Sequence, residues 1–539
     1  MIRSIDAILH HAHIITLDPA HPHATALAIH NGRVLAVGDD EDILPLATSH
    51  TRSYHMGGRV VMPGLTDAHI HWQKTAIALQ QIAIFEASKH DILEQVRAQT
   101  QRLEAGEWVV GHGWSQDFWE EKDFPTAADL DAVAPNHPVY LTGKSYHVAW
   151  VNSLAMQHAQ LSASTPDPVG GQFVRDEHGA PSGILLEAPA MLQVFQHIPK
   201  PSIEQIVRWM QHAQTQAHAY GLTALHELDD PDCLVALQTL RERGQLGLRV
   251  TKYINRAYLH SALESGIRFG FGDDWLRFGG LKLFADGALG PRTALMLEPY
   301  EGQPTNYGIR VTEYEEMHDL TQLASRAGLP TAIHAIGDRA VREVLNIFEA
   351  VRQDEAQRGI APSALPHRVE HVQLIHPDDL DRFRQLNLIA SMQPIHATSD
   401  YEAADALWGE RALYAYNARE QLQRGVTVAF GSDAPIEPFN PWTGIFAAVT
   451  RRRPNGLPSH EGWYPQLRLT VDEAIHGYTM GAAQAVGLHD RQGKLSTNYY
   501  ADLIVLDRNP YTIPHAELLD VQVLSTMVDG VWRWGELAH

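Results

Sequence analysis

Short apolar runs separated by longer amphipathic stretches set the rhythm of this chain between about residues 60 and 490. Runs bounded by turn formers read as buried strands, and apolar positions recurring every three or four residues read as helices. Strands are predicted at Val60-Val61-Met62, Val139-Tyr140-Leu141, Thr223-Ala224-Leu225, Leu281-Lys282-Leu283-Phe284, Pro330-Thr331-Ala332-Ile333, Arg368-Val369-Glu370, Leu388-Ile389-Ala390 and Val426-Thr427-Val428-Ala429-Phe430. Helices are predicted between them, among them 203–220 and 314–327, the second stopped by Gly328. Eight strands alternating with helices favour an α/β fold, a closed (β/α)8 TIM-type barrel, over an open sheet.

Both ends of the chain carry a different pattern. Runs such as His13-Ile14-Ile15-Thr16-Leu17 and Arg33-Val34-Leu35-Ala36-Val37, the latter following the turn pair Asn31-Gly32, are β-like, and so are 501–506 and 521–534 around Asp529-Gly530. Residues 1–60 and 490–539 are therefore expected to pair into one small β-sandwich domain, leaving 61–489 for the barrel. The stretch of about 73–196 is too long for one βα unit and reads as an insertion. Its Trp-rich segment, Gly113-Trp114-Ser115-Gln116-Asp117-Phe118-Trp119, is either a lid over a site or the insertion's own core.

Composition narrows the function. A formal charge of −22 without a long basic run disfavours nucleic acid and anionic membrane surfaces as partners. The single cysteine, Cys233, rules out an intramolecular disulfide framework, and Asp6, His10 and His11 interrupt any apolar leader, so the expected address is the cytoplasm. No apolar run is long enough to span a membrane. The expected partners are a small-molecule substrate and a second copy of the chain in a homodimer.

Polar residues fall where several predicted strands end, and in a parallel barrel all strand C-termini share one face. His69 and His71 stand two apart on an extended segment and point the same way. His334 follows Thr331-Ala332-Ile333, His371 follows Val369-Glu370, and Asp433 follows Phe430-Gly431-Ser432. In a chain with 32 histidines a lone His-x-His arises easily by chance. Four histidines and an aspartate, each near a strand end, point instead to a divalent metal site with a position open for water. Lys282 has two readings: a cation neutralising a buried carboxylate such as Asp286, or a lysine carbamylated by carbon dioxide into an anionic oxygen donor.

The order of motifs resembles the amidohydrolase superfamily, in its N-substituted formamide deformylase-like branch (amidohydrolase family 3). The resemblance spans nearly the whole chain and rests on the β-rich ends, Val61 to His71, Lys282 to Gly290, His334 to Asp338, His367 to His371, and Gly431-Ser432-Asp433-Ala434-Pro435. It implies His69, His71, Lys282, His334, His371 and Asp433 as ligands of one or two ions, zinc or another divalent metal, with the carboxylated lysine of a binuclear site. Relatives often read Arg-x-Asp-Gly-His where this chain has Lys144-Ser145-Tyr146-His147, which retains the histidine and loses the aspartate.

The expected activity is hydrolysis of a carbon–nitrogen bond other than a peptide bond, in an amide or N-formyl group of a hydrophobic small molecule, by metal-activated hydroxide. Asp433 would shuttle the proton, and His147 or a second ion would polarise the carbonyl. Trp114, Tyr146, Asp286, Arg292, Asp338 and Gln393 are the expected substrate contacts. The alternatives are a deaminase, decarboxylase or isomerase on the same barrel, or a non-catalytic relic stabilised by its metal.

Overall fold

A computed structural model describes residues 5–535 and 537, apart from 85–86, 115–118, 120–122, 144–147 and 169–170. Eight strands form one parallel sheet: β1 (Leu65–Ile70), β2 (Leu222–Glu227), β3 (Arg249–Asn255), β4 (Leu276–Phe284), β5 (Thr331–Ala335), β6 (Arg368–His371), β7 (Ile389–Met392) and β8 (Thr427–Phe430). Neighbours in the sheet follow chain order. Just past the end of β8, the Asp433 N–H donates to the carbonyl of His69 in β1 at 2.7 Å, joining the first strand to the last. The expected (β/α)8 barrel is the observed one.

Six of the eight predicted strands lie in that barrel and two do not. Val60-Val61-Met62 belongs to a strand of the terminal β-structure (Val60–Pro63), and Val139-Tyr140-Leu141 to the insertion's sheet (Val139–Gly143). The barrel strands in their place, β1 and β3, are buried along nearly their whole length but carry polar residues. Arg249 in β3 reaches Asp502 through Nε at 2.6 Å and Nη2 at 3.0 Å, and the Lys252 ammonium sits 2.9 Å from Glu227. A buried charge that is paired looks, in a hydropathy pattern, like a surface residue.

The chain ends meet in a six-stranded sheet. Val60–Pro63 runs antiparallel to Leu503–Leu506 and parallel to His13–Ile15, while Val523–Val528 and Val531–Gly535 continue the sheet. A four-stranded sheet of Ala7–His10, Ala26–His30, Arg33–Gly38 and Arg52–His55 packs with it around Leu9, Leu27, Ile29, Val61, Leu503 and Met527. The hairpin turn has positive φ at both Asn31 (48°) and Gly32 (71°), the combination Asn-Gly tolerates best.

Residues Ala76–Trp209 form a compact unit of their own. Its six-stranded sheet runs from Ile82–Ala83 through Val109–Trp114, Val139–Gly143, Val148–Val151 and Pro181–Leu186 to Gln172–Arg175. Trp114, Trp119 and Trp150 are buried together there, with Trp114 and Trp119 stacked at 5.9 Å and the Trp114 indole N–H donating to the Leu141 carbonyl at 2.8 Å. For Trp114, burial favours the insertion's own core over the substrate wall. The helices predicted at 203–220 and 314–327 occur as Ile203–Ala219 and Tyr314–Arg326. Gly328, at φ +81°, follows the second as its left-handed cap. No helix among the described residues is long and apolar enough to cross a membrane.

Candidate metal centre

Because the barrel strands are parallel, the residues at their C-terminal ends gather on one face. His69 is the penultimate residue of β1 and His71 follows the strand. Lys282 stands two residues before the end of β4, His334 is penultimate in β5, His371 ends β6, and Asp433 lies three residues past β8. The Asp433 Oδ1 atom is 3.3 Å from His69 Nε2 and 3.5 Å from His71 Nε2. The ring centroid of His371 lies 4.7 Å from that of His69 and 4.5 Å from that of His334. The structure thus brings together the four histidines and the aspartate expected as ligands, and Lys282 lies near enough to act on their charges.

The junction of β8 with β1 depends on small and polar side chains. A Cβ on Gly431 would come within 2.4 Å of the His69 nitrogen and 2.6 Å of Asp67 Oδ1, so only glycine lets the two segments approach this closely. Asp67, fully buried, accepts the N–H groups of His69 and Ser432 and the Ser432 hydroxyl. Burial pushes its carboxyl up to about 6, against the pull of those donors. The chain then turns through Asp433 at φ +60°, a left-handed conformation that Asp adopts more readily than most residues and that aims its carboxylate at the histidines.

The outer ring nitrogens are held from behind. His69 donates Nδ1–H to Glu370 at 2.5 Å, His71 to Asp229 at 2.9 Å, and His371 to the Gln393 carbonyl oxygen at 2.8 Å. An acceptor at Nδ1 keeps the proton there and leaves Nε2 as a lone-pair donor, the orientation a ligating imidazole needs. His334 is held the other way round, with Nε2 2.9 Å from the Gly287 carbonyl. Burial holds His334 down to about 3 and His371 well below the ordinary imidazole range, so both rings are neutral. Burial alone would raise the Asp433 carboxyl, but the facing His69 holds it well below the usual carboxylate range.

Lys282 is 1% exposed, and its Nζ has no hydrogen-bond partner among the described residues. Burial pushes its ammonium down to about 8, against the attraction of Glu370 and Asp433. It does not neutralise Asp286, whose oxygens instead accept the N–H groups of Leu295, Ile336 and Gly337. A buried, unpartnered amine beside neutral imidazoles and an aspartate fits a centre built for a cation.

The expected substrate contacts fare differently. Asp286 is committed to those backbone donors, Asp338 to the N–H groups of Leu297 and Arg339, and the Gln393 oxygen to His371, although Gln393 Nε2 is buried without a hydrogen-bond partner among the described residues. Arg292 is exposed on the loop after β4. Tyr146 and His147 lie outside the described residues. The sequence reading passed over Asp229, Glu370 and His396. His396 Nε2 lies 3.9 Å from Asp433 Oδ2, and its other nitrogen lies 3.2 Å from the Gln373 amide nitrogen. The rule that found the expected ligands, a polar residue at or just past the end of an apolar strand, also marks Asp229 after β2 and His396 in the short helix after β7.

A parallel eight-stranded barrel with imidazoles, a carboxylate and a buried lysine converging at its C-terminal face defines the class of metal-dependent barrel hydrolases. The chain belongs to the amidohydrolase family, whose model matches residues 56–532. It is 31% identical over 545 residues to Protein LONG AFTER FAR-RED 3 of Arabidopsis thaliana, covering 97% of this chain and 91% of that protein. It is 29% identical over 558 residues to N-substituted formamide deformylase of Arthrobacter pascens, covering 99% of each. Among solved structures, an uncharacterized metal-dependent hydrolase from Pyrococcus furiosus is similar at a TM-score of 0.77 and 30% identity, covering 94% of this chain and all of that one.

Proposed function

We propose that this protein hydrolyses the carbon–nitrogen bond of an amide or N-formyl group in a hydrophobic small molecule. The observation that carries the reading is Asp433 Oδ1 set 3.3 and 3.5 Å from the Nε2 atoms of His69 and His71, whose outer nitrogens are held by Glu370 and Asp229. The similarity to N-substituted formamide deformylase supports the choice of bond. His69, His71, His334, His371 and Asp433 would hold the ion, zinc in this proposal because neutral imidazoles with a carboxylate suit it. When bound, the ion supplies a Lewis acid and lowers the pKa of a water in its shell from roughly 15.7 towards about 7. Asp433, ionised and buried against the histidines, takes the proton from the attacking water and returns it to the leaving amine. A second ion or His147 would polarise the carbonyl oxygen.

The test is a panel of N-formyl compounds, amides, lactams and aminated rings assayed before and after chelation and zinc restoration. Turnover of an amide or N-formyl compound, lost on chelation and recovered with zinc, is the expected result. Turnover confined to aminated rings would replace this reading with a deaminase, and none in any class would leave a metal-stabilised relic.

Lys282 decides how many ions are held. Its amine, lowered to about 8, becomes increasingly neutral as pH rises and retains a neutral fraction near pH 7. The neutral amine can add to carbon dioxide, forming an N–C bond and releasing one proton, which yields an anionic carbamate with two donor oxygens. Plasma mass spectrometry should then find about two ions per parent chain and one or none in Lys282→Ala, as a two-metal site requires. One ion in both would indicate a mononuclear centre, and none in either would sink the metal mechanism.

A further inference from the structure

A second set of converging donors lies in the four-stranded sheet of the terminal β-structure. His10 ends the strand Ala7–His10, His11 follows it, and Asp40 opens the short helix Asp40–Ile43. The two Nδ1 atoms of His10 and His11 face each other at 2.7 Å, and Asp40 Oδ2 lies 3.3 Å from His11 Nδ1. Donors roughly 2.0–2.2 Å from a tetrahedral ion stand about 3.3 Å apart, so this triangle needs only a slight opening at its histidine edge to accept one.

From these positions we propose that His10, His11 and Asp40 form a surface site for one divalent transition-metal ion of the zinc class, separate from the barrel centre. The far atom of two of these ligands is anchored. His10 Nε2 is 3.0 Å from the Ser53 hydroxyl, which accepts the ring proton when Nδ1 ligates. Asp40 Oδ1 accepts the His11 backbone N–H at 3.0 Å, and the Asp40 N–H donates to the Thr25 hydroxyl at 2.8 Å. Oδ2 is thereby left facing the imidazoles.

His11 reaches this position with φ at +52°, uncommon for a residue with a Cβ and costly unless its surroundings hold it there. Behind it the His55 ring stacks at 4.4 Å and 19°, and the Gly57 N–H donates to His55 Nδ1 at 3.2 Å, which steadies that ring as a wall. Asp39, Glu41 and Asp42 flank Asp40 in the sequence and add negative charge that favours a cation. Burial and the neighbouring His11 and His55 lower the His10 pKa, which favours the neutral, ligating imidazole. An ion here would tie the turn after the first strand to the helix that opens at Asp40.

Zinc-reconstituted, desalted full-length protein titrated calorimetrically with Zn2+ tests the proposal. One further ion per chain is expected to bind the parent and to raise its Tm. His10→Ala and His11→Gly should weaken that event by more than the roughly 10–100-fold that losing a mere orienting partner costs, while the zinc retained in the barrel stays constant. Glycine is chosen at 11 because it accepts the positive φ, and His10→Ala carries the test alone if that variant does not fold. His13→Ala, a histidine outside the triangle, should leave the isotherm unchanged. A parent that takes up no further ion, or the same isotherm in the parent and both variants, overturns the site.

Discussion

Asp433→Asn is expected to keep most of its metal and to lose about 10²- to 10⁴-fold in kcat, the range that general acid–base groups supply. Asparagine preserves the shape and one carbonyl oxygen, and it tolerates the left-handed backbone at φ +60° better than most residues, so the contacts at 3.3 and 3.5 Å to His69 and His71 survive. It cannot accept and return a proton. Steady-state kinetics on the best panel substrate, with metal content measured on the same preparation, checks the outcome. Full activity would remove Asp433 from proton transfer, whereas loss of metal together with rate would make it a ligand and nothing more.

Glu370→Gln is expected to cost about 3–5 kcal/mol of stability and to weaken metal binding by about 10–100-fold. Glu370 and Arg368 are both fully buried, and the carboxylate receives the guanidinium through Nε and through Nη2 at 2.9 Å as well as the His69 Nδ1–H. Removing the charge strands Arg368, whose other contacts, with the Ala68 carbonyl, the Ser391 hydroxyl, His226 and Tyr253, carry no formal negative charge. The double variant Arg368→Met with Glu370→Met separates the two effects. Stability should largely return, because apolar residues often replace a buried pair at little cost, while metal affinity should stay low because His69 has lost its acceptor. Urea unfolding and zinc competition measure the two arms. Recovery of both would reduce Glu370 to a structural partner of Arg368.

The residues that converge at the barrel's C-terminal face were legible because a simple geometric rule reached them. A parallel barrel sends every strand end to one face, so polar residues at the ends of apolar runs, His334 after Thr331-Ala332-Ile333 or Asp433 beyond β8, could be collected without knowing any contact. The same rule marks Asp229 and His396, but it does not say which polar residues near strand ends serve the site. Lys282 stood within an apolar run, so its burial could be anticipated. Its lack of a partner could not, because that depended on where the loop after β4 carried Asp286.

Two barrel strands escaped the pattern for one reason. Hydropathy records where apolar side chains stand, and β1 and β3 bury Asp67, His69, Arg249 and Lys252, each matched by a partner from another element. Glu370 stands 301 positions after His69, and Asp229 158 after His71. The sequence by itself determined the fold class, the β-rich ends and the residue types gathered at strand ends, because periodicity and strand polarity are local properties. Only the tertiary structure decided the strand membership of the barrel, the partner of each imidazole and the isolation of the Lys282 amine. Pairing of buried polar groups is a distance condition between remote segments, and no local pattern encodes it.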